Sequence, residues 1–118
     1  MNLTAKQCTP CRGGVPPLSR AEAERLLRET PGWTLDADAT RIERTFKTAD
    51  FAAALALVEQ IAAIAEAEGH HPDIGFGWGY CRVVFYTHKI KGLPENDFIM
   101  AAKVNALAAA SRAAASHG

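Results

Sequence analysis

Net charge is the first thing missing from this chain of 118 residues: thirteen Lys and Arg balance thirteen Asp and Glu. A neutral chain has no field to draw it onto nucleic acid or an anionic membrane, so neither is expected as a direct partner. Long hydrophobic runs are missing too. The longest, Phe51 to Val58, holds eight residues, against the roughly 20 that a helical membrane span requires. The opening stretch MNLTAKQCTP has no apolar core of the kind a secretory signal carries, so a cytoplasmic location is expected. Cysteine is scarce: three residues cannot all pair, which suits a reducing compartment better than a disulfide scaffold. What remains is ordinary globular composition, 48% apolar and 22% charged, in a length suited to one domain.

Residues 1–18 read as a flexible arm, with Gly13-Gly14 and Pro16-Pro17 as breakers and no periodic apolar pattern. Residues 19–115 read as a single domain. Ser19 with Glu22 fits a capping box, Leu26 and Leu27 give the helix behind it an apolar face, and Pro31-Gly32 stops it. Two extended segments follow, Trp33 to Leu35 and Arg41 to Lys47. The second places Ile42 and Phe46 on one face and Glu43 and Thr45 on the other. From Thr48 the period becomes helical: Phe51, Leu55, Val58, Ile61, Ala62 and Ala65 recur on one stripe, with Thr48 or Asp50 as cap and Gly69 as stop. Strands are expected from Asp73 to Phe76 and from Cys81 to His88, around the turn Gly77-Trp78-Gly79. Pro94 opens a last helix running to about Ala115. The order α-β-β-α-β-β-α predicts an α+β fold, an antiparallel sheet with its helices gathered on one face.

Three of the four histidines fall between positions 70 and 88. Imidazole is the side chain that exchanges protons near neutrality without heavy tuning. His70 and His71 follow a helix stop, and Pro72 biases His71 to extended backbone. Glu66 lies one helical turn before His70 and is expected to reach it. His88 ends a strand that pairs with the segment from Asp73. Asp97, in the first turn of the last helix where exposed amides favour a carboxylate, is placed to orient His88. Spacing alone leaves acid–base catalysis and metal binding both open, since imidazole and carboxylate also suit zinc or iron.

The run Glu66-Ala-Glu-Gly-His70-His71-Pro72-Asp73, with His88 seventeen residues after His71 and Asp97 nine further on, resembles the signature of the pterin-4a-carbinolamine dehydratases. Trp33 in Pro-Gly-Trp, Thr87-His88, Gly92-Leu93 and Glu95-Asn96-Asp97-Phe98 extend the resemblance from about Ser19 to Ala110. Two positions depart from the family pattern: Ile74 stands where an aromatic residue is common, and Pro94 where a capping hydroxyl is common. The resemblance implies a four-stranded antiparallel sheet with three helices on one face. It also implies dehydration of 4a-hydroxytetrahydropterins to quinonoid dihydropterins, which recycles the cofactor of aromatic amino-acid hydroxylases. By that resemblance His70 and His88 are the main acid–base pair, and His71 binds substrate or assists. Glu66 supports His70, Asp97 supports His88, and Trp33 flanks the flat pterin or packs in the core. No cofactor or metal is implied, the pterin being the substrate. The expected partners are that pterin, further copies of the chain in a dimer or tetramer, and an aromatic amino-acid hydroxylase.

Dehydratase-like proteins also serve as non-enzymatic binding modules, as transcription-factor dimerisation partners or Rubisco assembly chaperones, and this is the alternative reading. Cys8-Thr9-Pro10-Cys11 has the spacing of a redox or zinc motif. It lacks the flanking strand and helix of the one and the four ligands of the other, so two thiols in the arm are expected.

Overall fold

Ser19 starts the first helix as the sequence predicts. In the computed structural model, which describes residues 18–86 and 93–115, the Ser19 hydroxyl accepts from the Glu22 N–H while the Glu22 carboxylate accepts from the Ser19 N–H. The two bonds satisfy amides that the helix itself leaves without partners. Helix α1 (Arg20–Arg28) then buries Ala23 and Leu26. The chain turns at Gly32, whose φ of +90° favours glycine. It continues into β1 (Thr34–Leu35) and β2 (Arg41–Lys47). Asp36 closes the link between them by accepting from the Thr40 and Arg41 amides and the Thr40 hydroxyl. Burial pushes its carboxyl upward, but the bonds from Arg41 and Thr40 outweigh that and hold it below the usual carboxylate range.

Helix α2 (Phe51–Glu68) is capped by Asp50, not Thr48: the Asp50 carboxylate accepts from the Ala53 N–H at 2.8 Å. Its buried face differs from the expected stripe. Ala54, Leu57, Ile61 and Ala65 face the core, while Phe51 and Leu55 are 49% and 38% exposed. The reason is that the helix is apolar nearly all round, so periodicity does not choose between neighbouring stripes. Gly69 ends it in left-handed conformation, φ 66°.

Strands β3 (Asp73–Gly77) and β4 (Tyr80–Tyr86) form a hairpin, and the antiparallel sheet has the order β1-β2-β4-β3. The expected extension of the last strand to His88 falls outside the described residues, as do Cys8 and Cys11. Register sets Ile42 opposite Phe85, Phe46 opposite Cys81 and Ile74 opposite Val83. Because side chains alternate along a strand, these residues share the inner face. Burial pushes the Cys81 thiol up, as expected of a group with no water around it. Helix α3 (Glu95–Ala115) closes the layer, its Phe98, Ile99, Met100, Ala101 and Val104 all within 1% of full burial. Among the described residues no helix is long and apolar enough to cross a membrane.

Candidate active site

The end of α2 decides where the two adjacent histidines go. Gly69 turns the chain out of the helix, and the His70 amide bonds back to the Ala65 carbonyl at 3.1 Å. Residues beyond that turn are extended ahead of Pro72, and successive extended side chains point to opposite sides. His70 therefore drops inward, to 8% exposure, while His71 stays in solvent.

Inside, His70 Nε2 meets Asp97 Oδ1 in a short, buried imidazole–carboxylate contact. Asp97 is fully buried in the first turn of α3, where backbone amides favour a negative group. An ionised carboxylate only accepts, so against an ionised Asp97 it is Nε2 that carries the hydrogen of this contact. Phe85 of β4 lies almost parallel to the imidazole, with 13° between planes and 6.1 Å between centroids. The ring is thus held at its edge by Asp97 and on its flank by Phe85. Outside, His71 Nε2 and Glu66 Oε1 stand 3.3 Å apart, with side chains 58% and 79% exposed.

One support pair differs from that expected. Glu66 meets His71, not His70, because the αL turn at Gly69 swings His70 beneath the helix end and leaves His71 over the outer face. Asp97 meets His70; its expected pairing with His88 falls outside the described residues, where His88 lies. Trp33 is a core residue at 4% exposure: Phe46 and Phe85 pack against its ring at centroid distances of 6.4 and 5.6 Å, and its N–H donates to Asn105 Oδ1 at 2.8 Å. A ring so enclosed offers no face to a flat ligand. Among the described residues no group of three or more His, Cys, Asp and Glu converges in the manner of metal ligands.

Sequence reasoning missed three contributors. Phe85 reads as one more apolar strand residue, and nothing in its spacing announces the imidazole beside it. Asn105 gives no local signal on a helix. Arg44 does leave one, since it interrupts the inward alternation of Ile42 and Phe46; its guanidinium stacks on Phe46 at 4.4 Å and bonds the Pro31 carbonyl and Asn105. Asp73, the last residue of the histidine run, accepts from the Tyr86 hydroxyl at 2.7 Å, a bond that pushes the phenol above its usual range. A cleft of about 400 Å³ opens between Glu29, Pro31, Arg44 and the α3 residues around Asn105, with none of the histidines in its lining.

Three helices on a four-stranded antiparallel sheet, with one imidazole–carboxylate pair buried and a second exposed beside it, define an α+β protein with two histidine–carboxylate pairs at the end of one helix. The chain belongs to the pterin 4 alpha carbinolamine dehydratase family, whose model matches residues 16–107. A Methylococcus capsulatus protein named for that dehydratase is 62% identical over 108 residues, covering 92% of this chain and 95% of the relative. A Cupriavidus pinatubonensis protein named in the same way is 60% identical over 107 residues, 91% of this chain and 92% of its own. Among solved structures, a transcriptional coactivator/pterin dehydratase from Brucella melitensis superposes with a TM-score of 0.74 at 35% identity, over 78% of this chain and 98% of that one. A pterin dehydratase-like RuBisCO assembly factor of the alpha-carboxysome gives 0.57 at 28% identity, over 65% and 89%.

Proposed function

We propose that this protein dehydrates 4a-hydroxytetrahydropterins to quinonoid dihydropterins, and that histidines perform the proton transfers. The buried His70–Asp97 pair carries this reading: a scaffold has no use for a fully buried carboxylate spent on orienting an imidazole at a helix end. In the reaction the C4a–O bond breaks as the hydroxyl takes up a proton and leaves as water, while N5 gives up its proton and forms the new C=N bond. One group must donate and another accept, each contributing typically ~10²–10⁴-fold. His70 and His88 take those two roles. His71, in solvent with Glu66 beside it, meets the polar rim of the pterin. The reaction is loss of water assisted by proton transfer, with no change of oxidation state, so turnover proceeds without nicotinamide, flavin or metal. Dehydration in this sense would serve an aromatic amino-acid hydroxylase in the cytoplasm.

The test is to generate the carbinolamine with a hydroxylase in a stopped-flow cell and follow quinonoid formation with this protein added, before and after chelation. Acceleration that survives the chelator, and that a folded His70→Ala/His88→Ala double variant loses, supports the reading. A double variant as fast as the unmodified protein refutes it.

A second reading, protein binding, is favoured by a separate observation. The large apolar side chains left exposed among the described residues are Phe51, Leu55, Trp78 and Tyr80, at the start of α2 and on the β3–β4 hairpin. Phe51 packs against Phe76 of that hairpin, 5.5 Å between centroids, which brings the start of α2 to the strands; exposed apolar side chains gathered in this way suit association, and self-association is the first expectation. Light scattering of the purified chain decides it, a monomer at all concentrations being the adverse result.

A further inference from the structure

Helix α3 touches the His70 unit twice. Asp97 does so directly. Asn105, eight residues further and so ~12 Å along the axis, does so through a relay of packed rings. Its side-chain amide has three partners: Oδ1 accepts from Trp33 Nε1 at 2.8 Å and from Arg44 Nη1 at 2.7 Å, and Nδ2 donates to the Pro31 carbonyl at 3.0 Å. The Trp33 indole so fixed packs on Phe85, 5.6 Å between centroids, and Phe85 lies flat beside the His70 imidazole. Building on the dehydratase reading above, we propose that Asn105 is a positioning residue for His70, acting through Trp33 and Phe85 and closing a ring of contacts from α3 back to α3.

The physical case rests on what each link loses when Asn105 goes. Trp33 is 4% exposed, so its N–H without an acceptor would be a buried donor without a partner, and the indole must shift to find one. Close packing passes such a shift on, because interiors leave no slack for one ring to move alone. Phe85 follows the indole, and the flank of the imidazole loses its wall. The edge contact to Asp97 then holds the ring by one nitrogen only, and rotation about that bond changes where Nδ1 points. This also gives Trp33 a task consistent with its burial, which a role against the substrate ring is not.

Two variants separate positioning from plain support. Asn105→Leu keeps the branched shape and removes the acceptor; Asn105→Asp keeps an acceptor for both Trp33 and Arg44 and gives up the bond to the Pro31 carbonyl. The first readout is the proton shared by His70 Nε2 and Asp97, followed by NMR on protein with ¹⁵N-labelled histidine. It should move or broaden in Asn105→Leu and return to the native position in Asn105→Asp. The second readout is dehydration: Asn105→Leu should lower kcat about tenfold, short of the ~100-fold that an ångström of misplacement can cause, with KM changed less than about twofold. Should Asn105→Leu fail to fold, Trp33→Phe removes the donor, keeps a ring, and should move the same resonance. A folded Asn105→Leu with the native His70 signal overturns the proposal, and so does an Asn105→Asp that restores neither readout. The resonance is read without substrate, so a chain that does not dehydrate the carbinolamine would refute the enzyme reading and leave this result standing by itself.

Discussion

Asp97→Asn is the substitution that tests the buried pair most directly. The carboxylate is fully buried and meets an imidazole that is itself only 8% exposed, so neither group has water to fall back on. Asparagine keeps the shape and an acceptor oxygen but removes the charge. A hydrogen bond to a charged group contributes ~1.5–3 kcal/mol, against about 1 kcal/mol between neutral partners, so the exchange costs roughly 0.5–2 kcal/mol. Asp97 also stands in the first turn of α3, where losing a negative charge costs a further ~0.3–1 kcal/mol. The sum, about 2 kcal/mol, corresponds to a fall in Tm of about 8 °C at roughly 4 °C per kcal/mol for a chain of this size. Dehydration should slow as well, by less than in His70→Ala, because the imidazole stays while its orientation weakens. Thermal denaturation by circular dichroism at neutral pH, beside stopped-flow turnover, gives both numbers. A variant with unchanged Tm would refute the reasoning, since it would mean that the pair contributes nothing when buried.

Three further outcomes are expected. Leu57→Ala should cost ~2–5 kcal/mol and Leu55→Ala less than about 1 kcal/mol in urea unfolding, because only Leu57 faces the core; equal losses would place the buried stripe of α2 wrongly. The Asp36 carboxyl is held below its usual range, so its contribution is present above the unfolded value and lost as pH falls through the folded one; the gap in urea midpoint between Asp36→Ala and the unmodified protein should shrink from neutral pH to about pH 2, and a constant gap would refute it. In a Cys8→Ser/Cys11→Ser background, which should fold and dehydrate like the unmodified chain, the Cys81 thiol should resist a thiol reagent until denaturant is added; prompt labelling would mean that β4 opens readily.

Much of the fold could be read before the structure because its signals are local. Ser19 and Glu22 form their capping box wherever the helix goes, and Ile42 with Phe46 fixes the inner face of β2 by alternation alone. The buried stripe of α2 was not readable. Phe51-Ala-Ala-Ala-Leu55-Ala-Leu57-Val58 is apolar at every position, and only the sheet it meets selects Leu57 over Leu55. The site divides in the same way. His70, His71, Glu66 and Asp97 stand out by residue type, but which carboxylate meets which imidazole depends on Gly69, whose αL turn sends adjacent histidines to opposite sides. Trp33 stands out by its motif, yet a motif says nothing of the three-dimensional contacts of Phe46, Phe85 and Asn105 that enclose it.

The two imidazole–carboxylate pairs differ in how firmly they are held, and under the proposed dehydration the difference is a division of labour. His71 and Glu66 are 3.3 Å apart with most of both side chains in water, where such a pair contributes at most about 1 kcal/mol and is screened by salt. It can break and re-form at little cost, which suits the proposed role of His71 toward a substrate arriving from solvent. His70 and Asp97 cannot separate so cheaply, because parting them would take the imidazole from a fully buried carboxylate that water does not reach. A group held that firmly suits the step in which a proton must move along one direction, where reorganisation at the moment of reaction would add to the barrier. The two histidines are neighbours in sequence, and one glycine in left-handed conformation gives them these opposite environments. Gly69→Ala, strained at that φ of 66°, should therefore disturb both pairs at once.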